Sequence, residues 1–129
     1  MTNLDHAAAA DLLERLARTR SSFDGDAWVD LFSPAIAWHQ RPFEAPLLGH
    51  NEVRSLLLEA SKREEQVEFT FERHWVVPPT ILAPWHASHV DRTRRTRLRT
   101  AGFAAFEIAP DGRIQIARWW PVQSTTTIE

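Results

Sequence analysis

The chain has 129 residues, 43% of them hydrophobic and 25% charged, with a formal net charge of −2. Those values fit one globular domain over residues 1–129; they exclude a disordered chain and argue against a basic nucleic-acid binder. The absence of cysteine excludes disulfides, thiol nucleophiles and thiolate metal sites.

The N-terminal residues lack a basic stretch followed by an apolar one, and the alanine run at 7–10 is too short for a signal peptide or a membrane span. A cytoplasmic location without membrane contact is therefore expected. Leu12, Leu13 and Leu16 share one face, which predicts a helix over residues 4–20. Asp24 then caps a second helix over 25–32, with Trp28, Leu31 and Phe32 on its inner side and Ser33-Pro34 ending it. Residues 36–40 read as a short strand and 41–48 as a loop. Gly49 opens a third helix with a Val53, Leu56, Leu57, Ala60 stripe, and Lys62 and Arg63 complement its C-terminal dipole.

From there the period becomes two. Val67, Phe69 and Phe71 alternate with Glu68, Thr70 and Glu72 in a half-buried strand. Pro78-Pro79 marks a turn. Ile81, Ala83, Trp85 and Ala87 alternate in the next strand, with a bulge or unpaired position expected at Pro84. Residues 91–96 form a polar hairpin tip, and 98–108 a long strand. Pro110-Asp111-Gly112 turns the chain into a last strand whose inner face is read as Ile114, Ile116, Trp120 and Val122. Residues 124–129 are expected to be a loose tail. Helices first and antiparallel strands after them make an α+β domain.

Three segments carry a family resemblance. They are Asp24-Gly25-Asp26-Ala27-Trp28, then Ile36-Ala37-Trp38-His39 leading through Pro42-Phe43 to Leu48-Gly49, and finally Phe106-Glu107-Ile108 through Asp111-Gly112 to Arg118-Trp119-Trp120. In this order they resemble the SnoaL-like branch of the nuclear transport factor 2-like superfamily. The resemblance implies a cone-shaped, strongly curved antiparallel sheet packed on three N-terminal helices, a cystatin-like roll. It also implies a pocket in the cone and a habit of pairing through the sheet. The fold implies no single reaction. Ketosteroid isomerase-like members carry a carboxylate just before the loop proline, where this chain has Arg41. SnoaL-like cyclases carry an acid after the aromatic pair, where it has Pro121. Scytalone dehydratase-like members rely on tyrosines, and this chain has none.

The remaining chemistry centres on histidine and arginine. On a strand His39 and Arg41 share a face, so His39 is the candidate acid/base and Arg41 its anion-holding neighbour. The alternative for His39 is a hydrogen bond to a backbone carbonyl. Arg118 either pairs inside the sheet, where it can hold a substrate carbonyl or carboxylate, or is turned outward by a bulge. Trp38, Phe43, Trp85, His89, Arg118 and Trp120 are the candidate ligand-binding set, with Trp119 and Phe103 outward as a homodimer face. His39, His86 and His89 have no metal-site spacing, so no metal and no cofactor are expected. The arginine-rich stretch 92–99 lacks interleaved aromatics and reads as a solvated loop, without nucleic-acid binding. The leading expectation is a pocket for a small apolar or aromatic ligand, serving a cofactor-independent lyase, isomerase or cyclase. The alternatives are a non-catalytic ligand-binding module and a protein-interaction adaptor.

Overall fold

The computed structural model describes residues 4–127. Helix α1 spans His6–Ser22, and Asp5 caps it by accepting from the Ala8 amide at 2.8 Å. Its leucines at 12, 13 and 16 are buried, as their spacing predicts. Helix α2, Gly25–Asp30, is capped by Asp24. It is shorter than expected, because Phe32 opens strand β1, Phe32–His39. Pro34 lies where the β1 pairing register shifts, so its missing N–H interrupts no regular ladder. Strand β2, Leu47–Leu48, pairs with β1 inside the expected loop. Helix α3, Gly49–Arg63, starts at a glycine with φ +83°, a conformation that disfavours any side chain. The Trp28 indole N–H donates to the Val53 carbonyl at 3.0 Å and ties α2 to α3.

Five further strands follow: β3 (Glu64–Phe71), β4 (Trp75–Val77), β5 (Thr80–Asp91), β6 (Thr96–Ile108) and β7 (Ile114–Thr127). Periodicity had missed β4, a three-residue piece that pairs with β5. The sheet order is β2-β1-β7-β6-β5-β3, open at both edges, and the helices pack on its concave side. This is the expected α+β cone. The sheet is mixed rather than wholly antiparallel: β1 runs parallel to β7, and no tight turn joins the two, so none dictates their direction. The expected loose tail is instead strand as far as Thr127, which pairs with Thr96; residues 128–129 lie outside the described part.

Pro84 keeps its place in β5 without a bulge. Its carbonyl accepts from the Glu72 amide at 3.1 Å, and it sits where β5 passes from pairing with β3 (Phe71 with Trp85) to pairing with β4 (Trp75 with Leu82). Its absent N–H would face that gap on the same side as its carbonyl.

Two bulges do occur elsewhere. In β3, Glu65 pairs with Val90 and Glu68 with Ser88, so one extra residue intervenes at Gln66, whose φ is +52°. In β7, Ile114 pairs with Ile108 and Ile116 with Glu107, leaving Gln115 as the extra residue. Each bulge reverses which side chains face the core beyond it.

The close approach of β6 and β7 provides a stability test. A Cβ at Gly102 would lie 2.3 Å from the Trp120 carbonyl oxygen. Gly102→Ala is expected to cost about 1–3 kcal/mol through forced separation of the strands. Urea unfolding should show a lower midpoint at unchanged slope.

Candidate functional site

The concave face and the helices enclose a cavity of about 360 Å³. Much of its wall is aromatic because β1, β3, β5 and β7 turn alternate side chains inward. Trp119 meets the Trp38 ring at 5.0 Å and the Trp85 ring at 5.5 Å, and Phe69 stacks on Trp85 at 5.3 Å with 13° between planes. Leu57 from α3 and Trp28 from α2 add to the lining.

Polar groups gather on the same cavity wall. Arg20 from α1 contacts Glu64 at the start of β3, at 3.0 Å to one carboxylate oxygen and 3.1 Å to the other. His89 of β5 presents Nε2 at 4.0 Å from the same carboxylate. The three side chains are 24%, 9% and 16% exposed, so all are partly desolvated. Burial holds the His89 imidazole below its ordinary range, opposed by the negative charge of Glu64 and reinforced by the positive charge of Arg20. His89 is therefore neutral at neutral pH and able to accept a proton. Asp91, at the end of the same strand, is engaged differently. The Arg94 and Thr93 amides donate to it at 2.8 and 2.9 Å and hold its carboxyl below the usual range, so it organises the hairpin tip.

Several buried polar atoms around the cavity lack hydrogen-bond partners among the described residues: Arg20 Nη1, one Glu64 oxygen, and the indole nitrogens of Trp85 and Trp119. The Glu64 oxygen is close to Arg20 but misaligned for a hydrogen bond, so charge alone compensates it. Unmade bonds of this kind are costly, and a ligand that supplies partners relieves the cost.

The expected site residues divide between the two faces of the sheet. Trp38, Trp85 and His89 line the cavity. His39 does not. Trp38 and His39 are neighbours on a strand, so an inward Trp38 turns His39 to the outer face. There it joins Arg41, Arg118 and Trp120 around a separate recess of about 200 Å³. Arg118 takes the outward alternative, through the bulge at Gln115. The same bulge corrects the tryptophan pair: Trp119 is 8% exposed and inward, Trp120 is 42% exposed and outward. Phe43 is fully exposed and lines neither space. His86 lies on the outer side of β5, 3.8 Å from Glu72. Among the described residues no three histidine or acidic side chains are grouped to hold a metal ion.

Sequence reasoning missed Arg20 and Glu64. Simple alternation places Glu64 with Glu68, Thr70 and Glu72 on the wet face. The Gln66 bulge moves it inward, leaving Glu64, Val67 and Phe69 on the cavity side. Arg20 carries no sequence signal beyond its place in the last turn of a helix.

A family model described as a SnoaL-like domain matches residues 13–117. No curated protein matches the sequence. Among solved structures the chain is similar to an LEH-like epoxide hydrolase from M. tuberculosis, at 17% identity over 91% of this chain and 84% of that one, with TM-score 0.76. It is also similar to a Δ5-3-ketosteroid isomerase from Mycobacterium sp. at 13% identity, covering 92% and 98%, TM-score 0.76. A hypothetical protein of ketosteroid isomerase-like fold from Catenulispora acidiphila, solved with trimethylamine, matches at 10% identity, covering 85% and 84%, TM-score 0.77. At these identities the likeness is one of fold.

The electrostatics of the cluster predict its titration. The His89 imidazole should titrate below the ordinary value of about 6.5. Glu64→Gln removes the charge that opposes desolvation and should lower the midpoint further. Because the folded form binds its proton less readily than the unfolded chain, this histidine removes stability as pH falls from about 6.5 through its folded midpoint. Imidazole NMR titration of wild type and Glu64→Gln checks the order, and thermal unfolding of His89→Gln should lose part of the acid-side decline.

Proposed function

The chain belongs to the SnoaL-like domain family, and we propose that it binds a small, mainly apolar molecule in the aromatic cavity and moves a proton on it with His89. The observation that carries this reading is a neutral, partly desolvated histidine in a 360 Å³ space whose apolar wall includes four indoles and a phenyl ring. That volume falls in the usual range for small-molecule sites. His89 would take a proton from a C–H or O–H group of the ligand. The imidazolium so formed would be stabilised by Glu64; return of the proton to a second carbon gives a cofactor-independent isomerisation, and its delivery to a leaving oxygen as the carbon–oxygen bond breaks gives an elimination. Glu64 acts as a positioning residue, with its charge shared with Arg20. The fold neighbours named as an isomerase and an epoxide hydrolase accord with this use of the cone.

A second reading, a ligand-binding module without turnover, draws support from one feature. Glu64 is tied to Arg20, and Asp91 to the hairpin amides, so the cavity offers a single free proton-moving group. Saturable quenching of tryptophan fluorescence by small aromatic ketones and lactones tests the pocket, and solvent-deuterium incorporation into the bound compound, followed by NMR, tests the chemistry. Incorporation lost in His89→Gln, with binding within about threefold of wild type, is the expected result. Binding without incorporation supports the second reading, and no saturable quenching with any compound rejects both.

We also propose self-association through the outer sheet face. Trp75, Val77, Phe103 and Val122 are exposed there, with Trp75 stacked on Phe103 at 6.4 Å. A contiguous apolar area of this kind suits a second copy of the chain. Sedimentation equilibrium should give a two-chain mass for wild type and a one-chain mass for Phe103→Glu. A one-chain mass for wild type at tens of micromolar would reject the pairing.

A further inference from the structure

The recess opens on the opposite side of the sheet from the cavity, with Trp119 bordering both. His39 and Arg118 are direct register partners on the parallel strands β1 and β7, so their backbones run about 4.8 Å apart and their side chains leave the same face. Arg41 follows two residues after His39 and completes the lining with Pro42 and the tryptophans 119 and 120. No acidic side chain contributes to this recess of about 200 Å³. Among the described residues Arg118 makes no ion pair and no side-chain hydrogen bond, although β7 elsewhere pairs its polar groups, as where Gln115 donates to Glu107 at 3.0 Å. Arg41 meets only Glu44 of its own loop, at 3.4 Å with both side chains well exposed, a contact worth little in water.

Two guanidinium groups thus share the recess with no acidic side chain in its lining, and like charges brought close on a sheet cost stability. The arrangement does suit an anion. Guanidinium groups offer planar forks of N–H donors that match carboxylate and phosphate oxygens. The half-exposed Trp120 ring and Pro42 give the apolar part of such a molecule a surface to lie on. We propose that this recess is a binding site for the oxyanion head group of a small organic carboxylate or phosphate, with Arg118 and Arg41 as the ligating residues and His39 as a third donor. The recess and the cavity lie on opposite sides of β1 and β7 and share Trp119 at their border.

The test uses the intact protein and three probes: inorganic phosphate, benzoate and phenyl phosphate. Each is titrated while the His39 imidazole and arginine guanidinium NMR signals are followed. The expected result is a saturable shift of the His39 and Arg118 signals with at least one probe. The affinity should fall about tenfold or more in Arg118→Gln and in Arg41→Gln, the loss of one charge-assisted contact. Arg99→Gln, an exposed site on β6, should bind as wild type does, and so should the cavity variant His89→Gln. Preference for phenyl phosphate over benzoate assigns the phosphate class, the reverse assigns the carboxylate class, and equal binding assigns a site that reads charge and shape alone. Absence of a saturable shift with all three probes overturns the proposal. So does equal weakening by Arg99→Gln and Arg118→Gln, which would mark a diffuse surface-charge effect.

Discussion

Trp119 is the side chain on which the interior depends. Its ring lies 5.0 Å from Trp38, 5.3 Å from Phe106, 5.5 Å from Trp85, 6.2 Å from Phe69 and 6.5 Å from Phe71, so one indole joins β1, β3, β5, β6 and β7. Several of these contacts are edge-to-face, the arrangement that aromatic quadrupoles favour. Trp38, Phe69, Trp85 and Trp119 also line the cavity, so rings that tie the strands together form part of its wall.

That hollow is apolar along much of its wall and holds a charged cluster on one side. A carboxylate as buried as Glu64 needs a counter-charge, and Arg20 supplies it from the last turn of α1. The pair joins the helical layer to the start of β3, so the polar cluster is structural as well as chemical. His89 stands beside it without a direct hydrogen bond and stays neutral because burial outweighs the pull of the carboxylate. A neutral imidazole in this setting can accept a proton within reach of the Glu64 carboxylate, whose charge is shared with Arg20.

The sheet keeps its two faces chemically apart. Inside are indoles and the Arg20, Glu64, His89 cluster. Outside are the exposed Trp75, Phe103 and Trp120 and the cations Arg41 and Arg118. Separation follows from the pleat: adjacent residues leave opposite sides, so Trp38 and His39 serve different surfaces although they are bonded neighbours.

Local pattern alone determined the three helices, the cap at Asp24, the opening of α3 at Gly49, the strands from β5 onward and the order that implies a cone, because each rests on residues near in sequence. The inward facing of Ala83, Trp85, Ala104 and Phe106 was equally legible, since their strands pair without interruption over those residues. What alternation could not supply was its own phase beyond a bulge. The extra residues at Gln66 and Gln115 exist because the partner strands' registers demand them, and neither glutamine signals this in the chain. Those two residues bring Glu64 to the cavity, turn Trp119 in and send Trp120 and Arg118 out. The meeting of Arg20 with Glu64, 44 positions apart, likewise exists only once α1 lies across the sheet. Secondary structure is a property of neighbouring residues, whereas the composition of this site is a property of strand register, which only the folded sheet decides.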